Sequence, residues 1–195
     1  MADLTSIGVI ILAAGSSRRL GRPKQLLELD GKPLVQHAID AADAAGAGEI
    51  VLVLGHMADE IAAAITLPRT ARVVVNQDHA TGQASSLRGG LGALGPRVDR
   101  ALILLGDQPR IAVEAIQAVA LGPGPITRIR YREAPGHPVA FDRGLWRRLM
   151  TIEGDRGARD LMAAHPGLIH DIALDAPLPV DVDTDDDATA IGASG

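Results

Sequence analysis

The chain has 195 residues, 47% of them hydrophobic, a net charge of −5 and no cysteine. That length can bury a sizeable core in one domain, and the missing cysteines exclude disulfides and thiolate metal sites. The acidic balance and a total of three aromatics, Tyr131, Phe141 and Trp146, argue against nucleic-acid binding, which calls for basic patches and stacking platforms.

In chain order, GVIILAA (8–14) reads as a fully buried strand. The Ala-rich PLVQHAIDAADAAG reads as a helix ending at Gly46, followed by a strand in EIVLVLG and a helix in MADEIAAAI. A third strand, ARVVVN, precedes the Gly-diluted helix QASSLRGGLGAL; a fourth, RALILLGD, precedes the helix AVEAIQAVAL. Continuous apolar strands alternating with helices predict an α/β three-layer domain built on a parallel sheet covered on both faces. Beyond it, PITRIRYREAPGHPVAF alternates and carries prolines, which predicts a β-rich insertion or lid over 126–142. LWRRLM and GARDLMAAH read as helices and LIHDIALD as a strand; VDVDTDDDATAI reads as a strand running into a final helix. No linker or repeat divides the chain, so 1–195 is read as one domain. No apolar run approaches the ~20 residues of a bilayer span. The opening MADLTSIG lacks the basic stretch of a secretion signal, so a cytoplasmic protein away from membranes is expected.

In open α/β sheets, ligands bind beyond the carboxyl ends of the strands. After the first strand comes Ala13-Ala14-Gly15-Ser16-Ser17-Arg18-Arg19, then Gly21 and Lys24. Small residues let backbone N–H groups approach an anion, and Arg and Lys supply countercharge, so the bend suits a polyphosphate. A small-residue turn with solvated arginines is the alternative. Lys24 and Lys32 are the only lysines in a chain that otherwise uses arginine. The bend matches neither the phosphate loop closed by Gly-Lys-Ser/Thr nor the spaced-glycine dinucleotide fingerprint. After the fourth strand, GDQP places Asp107 at a strand end, where it could hold Mg²⁺, and VDVDT places Asp183 similarly. Asp183 or Thr184 could instead cap the last helix. Gln83, Ser85 and Ser86, beside Arg88, could read a base edge or simply begin a helix. His137, between Gly136 and Pro138, could meet a ligand or be structural. No Ser-His-Asp order and no nucleophile elbow are present.

LAAGSSRRLGRPKQLL resembles the signature of the nucleotidyltransferases. NQDHATGQASSLRGGL, LLGDQP, GHPVAF, EGDRGARDLM and VDVDTDDD match further blocks, in order, of the branch that modifies molybdenum cofactor, and are most similar to the cytidylyltransferases. The likeness runs from about Val9 to Ala190. It implies a Rossmann-like three-layer α/β/α domain with a mixed, mostly parallel sheet. The implied activity is transfer of CMP from CTP to molybdopterin or its molybdenum-loaded form, with release of pyrophosphate and with Mg²⁺ as cofactor. It further implies that Leu12, Ala13, Ala14 and Gly15 line the nucleotide loop and that Arg19 and Lys24 hold the triphosphate. Asp107 and Asp183 would hold the metal, Gln83 and Ser86 would approach the cytosine, and His137 would face the acceptor. The product's recipient would be a molybdoenzyme of the xanthine dehydrogenase type. Ala14 in LAAG goes with cytidine, where guanosine-using relatives read LAGG. The stretch REAPGHP departs from the branch, which commonly has an extra glycine and a basic residue before GHP. Another phosphorylated acceptor, or an NAD(P)H-dependent oxidoreductase activity on the same fold, are the alternatives.

Overall fold

Nine strands and seven α-helices make up the computed structural model, which describes residues 4–17 and 19–194. The strands are β1 (Ile7–Leu12), β2 (Glu28–Leu29), β3 (Lys32–Pro33), β4 (Glu49–Leu54), β5 (Ala71–Val75), β6 (Arg100–Leu105), β7 (Ile126–Arg130), β8 (Pro135–Asp142) and β9 (Ile169–Ala173). The helices are α1 (Leu34–Ala44), α2 (Ala58–Ala64), α3 (Gln83–Ala93), α4 (Val113–Leu121), α5 (Trp146–Leu149), α6 (Arg159–Ala164) and α7 (Asp185–Ile191). Seven strands form one sheet in the order β5-β4-β1-β6-β8-β7-β9; β2 and β3 form a separate hairpin. Strand β8 runs antiparallel to both its neighbours, and every other pair in the large sheet is parallel. The sheet is therefore mixed and mostly parallel.

The uninterrupted apolar runs are explained by burial on both faces. Val9, Ile11, Leu52, Leu102 and Leu104 point into a core under α1, α2 and α4. Ile10, Val51, Val53, Ile103 and Phe141 point into a second core under α3, α5 and α6. Side chains alternate between these two layers along β1, β4 and β6, which is why those strands are apolar almost throughout.

Two expectations are corrected by the topology. The segment 126–142 supplies β7 and β8, which pair inside the central sheet rather than standing out from it as an insertion or lid. Its alternation and prolines look like an excursion because β7 pairs with β9, far along the chain. VDVDT forms no strand: residues 177–184 run without sheet pairing up to α7. Pro177 and Pro179 cannot donate to a ladder. The alternation instead reflects one-sided packing. Val182 is fully buried against Leu27, Leu29 and Leu34, in a third small core that also takes Ala188 of α7. Thr184 caps α7 through a capping box with Asp187, so the capping reading holds for Thr184, while the Asp183 side chain is left for other contacts. No helix among the described residues is long and apolar enough to cross a membrane.

Candidate active site

The chain order reverses direction across the sheet at β1, which lies between β4 and β6. Leu12 and Leu105 are register partners, so β1 and β6 end at the same level and their following loops lie side by side. Gly106 is what lets them meet: a Cβ there would fall 2.8 Å from the Ala13 Cβ. Above these loops opens a cleft of about 480 Å³, lined by Leu12, Ala13, Ala14, Gly15, Lys24, Gln83, Ser86 and Asp107, together with Gln25, His79 and Asp155.

Lys24 organises the charge in this cleft. It begins a short 3-10 turn, Lys24–Leu26, and its backbone N–H donates to Ser17 Oγ at 3.1 Å. Its Nζ lies 2.5 Å from Asp107 Oδ2 and 2.7 Å from Asp183 Oδ1. Asp183, 159 positions from Lys24, and Asp107 thus meet through one ammonium. The third core brings them together by packing the segment before α7 onto the chain after Lys24; the exposed Arg22–Asp185 pair (2.9 Å) lies alongside. Burial pushes the Asp107 carboxyl above the usual carboxylate range, although Lys24 pulls it down. Burial also works against the Lys24 ammonium, but Asp107 and Asp183 outweigh it and hold its pKa above the ordinary value.

Arg19 is highly exposed and approaches Asp183 Oδ2 at 3.8 Å without lining the cleft. Arg18, counted in the charge of the bend, lies outside the described residues. Arg88 points away: it donates to the Ile152 carbonyl and ties α3 to the loop before α6. Gln83 begins α3 at the cleft. Gly82, at φ +117, makes that entry possible, because a Cβ there would lie 2.4 Å from the Gly154 carbonyl carbon. The Ala84 N–H donates to the Gly154 carbonyl at 3.0 Å, so the loop carrying Asp155 docks on the start of α3 and borders the cleft. Ser86 Oγ accepts from Asn76 Nδ2 at 3.0 Å, as Ser85 does at 2.8 Å, so both hydroxyls are anchored while Ser86 still faces the cleft.

His137 lies elsewhere, in a second cleft of about 340 Å³ that shares Leu12, Gln83 and Leu105 with the first. Leu87, Ile103, Val139, Phe141, Met162 and Leu178 stand in its walls. Polar and charged side chains stand among them: Gln83, Gln108, Arg128, His137, Arg159 and Asp181. Arg128 is occupied by Asp171, with bonds of 2.8 and 3.1 Å. The Arg159 guanidinium makes no ion pair among the described residues. Burial, aided by the Arg159 charge, pushes His137 down to about 4, so its ring is neutral near neutral pH. Its carbonyl accepts from the Tyr131 hydroxyl at 2.7 Å. Gln108 is 4% exposed and donates to Asp181 at 2.6 Å.

Reading the sequence missed Gln25, Gln108, Arg159 and Asp181. Each sat inside a quoted motif, but nothing local marked it as part of a cleft wall.

The donor set can be tested against a divalent ion. Among the described residues no three His, Cys, Asp or Glu side chains gather as a metal cage. Two carboxylates do converge on one cation, the Lys24 ammonium. Hard oxygen donors from two carboxylates, completed by phosphates and water, suit Mg²⁺ or Mn²⁺. The residues present therefore fit such an ion, with Lys24 releasing at least one carboxylate to it.

A mixed α/β sheet, a small-residue bend at its switch point and an acid-and-lysine cluster beyond the strand ends define a nucleotide-handling α/β domain. The chain belongs to the MobA-like NTP transferase domain family, whose model matches residues 9–168. It is 35% identical over 194 residues to nicotine blue oxidoreductase of Paenarthrobacter nicotinovorans, covering 93% of this chain and 94% of that one. Among solved structures it is similar to Rv0371c of Mycobacterium tuberculosis H37Rv, with a TM-score of 0.88, 35% identity, and coverage of 96% of this chain and 98% of that one. A manganese complex of Rv0371c matches with a TM-score of 0.82 and 32% identity over 95% of this chain and 97% of that one.

Proposed function

We propose that the protein is a divalent-metal-dependent cytidylyltransferase that transfers CMP from CTP to the terminal phosphate of molybdopterin or its molybdenum-loaded form. The observation that carries this reading is the pairing of two contiguous clefts. One sets Lys24 and Asp107 beside a bend whose N–H groups at residues 14–16 make no hydrogen bond among the described residues; the other sets Gln83, Gln108, Arg128, His137, Arg159 and Asp181 among apolar side chains. The first suits a nucleoside triphosphate. The second, with Gln83, Gln108, Arg159 and Asp181 among its apolar walls, suits a flat heteroaromatic ring edged with hydrogen-bonding groups and carrying a phosphate tail.

Asp107 and Asp183 would hold the metal. When bound, it supplies charge neutralisation on the phosphates and Lewis-acid polarisation of the α-phosphorus. Magnesium is the proposed ion, and the manganese complex of a relative supports a divalent site. Lys24 and Arg19 hold the triphosphate and offset charge on the departing pyrophosphate. The bend of Ala14, Gly15 and Ser16 presents N–H groups to the phosphates, while the Ala13 N–H is held by the Val53 carbonyl. Gln83 and Ser86 face the base, and Leu12 forms the wall shared by both substrates. In the transfer, an acceptor phosphate oxygen forms a bond to the α-phosphorus as the bond to the β-phosphate oxygen breaks in line. That oxygen is already anionic near pH 7, so no general base is needed. His137, held neutral, sits on the acceptor side with Arg159 as a phosphate partner. The product would pass to a molybdoenzyme of the xanthine dehydrogenase type.

The test incubates the full chain with [α-³²P]CTP, Mg²⁺ or Mn²⁺, and molybdopterin, against sugar and polyol phosphates. Labelled CMP attached to molybdopterin, with matching pyrophosphate release, is the expected result. Transfer only to a sugar or polyol phosphate overturns the acceptor assignment.

A second reading rests on the relative named as an oxidoreductase, which matches over 93% of this chain. It takes the same clefts to hold a reduced nicotinamide dinucleotide and a planar quinone-like substrate. Tight binding of a reduced dinucleotide with weak CTP binding would favour it.

A further inference from the structure

Gln25 follows Lys24 and is 2% exposed. Its Nε2 donates two hydrogen bonds, to the carbonyls of Ala13 at 2.8 Å and Gly15 at 3.0 Å. Both partners can only accept, so the orientation of the amide is fixed. Its NH₂ faces the bend, and its Oε1 is buried without a hydrogen-bond partner among the described residues. An orphaned buried amide oxygen carries a desolvation penalty. The fold tolerates that penalty to keep two donors aimed at two carbonyls.

Those bonds set the polarity of the bend. A peptide that turns its C=O toward a polyphosphate puts the negative end of its dipole against an anion. One that turns its C=O away presents the N–H instead. Gln25 draws two carbonyls of the bend toward itself. The backbone N–H groups of Ala14, Gly15 and Ser16 make no hydrogen bond among the described residues, and all three residues line the first cleft. The same 3-10 turn grips the far end of the bend through the Lys24 N–H and Ser17 Oγ. The free N–H groups and the Lys24 ammonium are thereby fixed relative to one another.

We infer that Gln25 is a positioning residue that turns the amides of Ala14 and Ser16 into the cleft and holds them in register with Lys24 for a polyphosphate. The inference rests on the reading that this cleft takes a nucleoside triphosphate. It touches the phosphate half of that ligand and leaves the nucleoside half to other residues.

Calorimetric titration of the full chain with CTP, cytidine and inorganic pyrophosphate, all with Mg²⁺, tests it without turnover. Gln25→Met keeps the volume and removes both donors. CTP and pyrophosphate should weaken by at least about tenfold, as expected for lost hydrogen bonds in a buried anion site, while cytidine affinity stays unchanged. Ser17→Ala, at the better-exposed end of the bend, should weaken CTP and pyrophosphate severalfold and again spare cytidine; it serves if Gln25→Met does not fold. A residue with a merely structural role would lower all three affinities together. Equal losses for CTP and cytidine in the variants, or unchanged pyrophosphate binding, overturn the inference and leave the nucleotide reading standing. A wild-type chain that binds neither CTP nor pyrophosphate overturns both.

Discussion

Replacing Lys24 by Met tests the charge cluster most directly. Lys24 and Asp107 are largely buried, with side chains 14% and 16% exposed, and their contact is 2.5 Å. A charge-assisted hydrogen bond of this kind contributes about 1.5–3 kcal/mol. Asp183 is 48% exposed, so water screens its 2.7 Å arm to within about 1 kcal/mol. Lys24→Met should therefore cost roughly 2–4 kcal/mol in the absence of metal, a fall of about 4–16 °C in Tm for a chain this size. The variant leaves the Asp107 and Asp183 carboxylates without the ammonium between them, with only the exposed Arg19, among the described residues, near Asp183. A divalent ion should then restore stability, because no ammonium competes for the oxygens. Thermal melts followed by circular dichroism, in chelator and in millimolar Mn²⁺, measure both effects. The metal should raise Tm more in the variant than in the wild type. Turnover at saturating CTP should still fall by ~100-fold or more, since a preorganised charge is missing. A destabilised variant whose metal response does not exceed that of the wild type would refute the convergence of Asp107 and Asp183 on a shared cation.

His137 gives a pH prediction. Its folded pKa, about 4, lies below the ordinary 6.5, so as pH falls the unfolded chain takes up the proton first. Its contribution to stability is complete above about pH 6.5 and is lost between there and pH 4, at up to about 1.4 kcal/mol per unit. Unfolding free energies from urea melts at pH 7.5 and 5 should differ by about 2 kcal/mol more in the wild type than in His137→Gln; equal differences would show that the imidazole is not held neutral. Two glycines near the cleft should respond in opposite ways. Gly82→Ala, at φ +117 and against the Gly154 carbonyl, should cost roughly 2 kcal/mol or more. Gly89→Ala, inside α3 with nothing within 4 Å, should add about 0.5–1 kcal/mol, and denaturant melts of both variants check the pair. Ala14→Gly should narrow the preference for CTP over GTP, read as the ratio of kcat/KM values; an unchanged ratio would remove Ala14 from base selection.

The layered fold and the first half of the candidate site were legible in the sequence because their signals are local. GVIILAA and RALILLGD are continuous apolar runs, and only a sheet covered on both faces buries every residue of such a strand. The bend after β1 announces itself by small residues followed by Arg19 and Lys24, and Asp107 by its place after a strand. What local pattern could not decide was pairing. Segment 126–142 looked like an excursion because β7 meets β9 more than forty positions onward, at Ile126 and Ile169. VDVDT read as a strand because alternation is the same whether an extended chain pairs in a sheet or packs Val182 into a small core. That core carries Asp183 to Lys24 and Asp181 to Gln108, and so sets which charges share a cleft. Sequence alone determined which side chains are available for chemistry. Tertiary structure decided which of them meet, because their contacts depend on burial between segments that lie far apart along the chain.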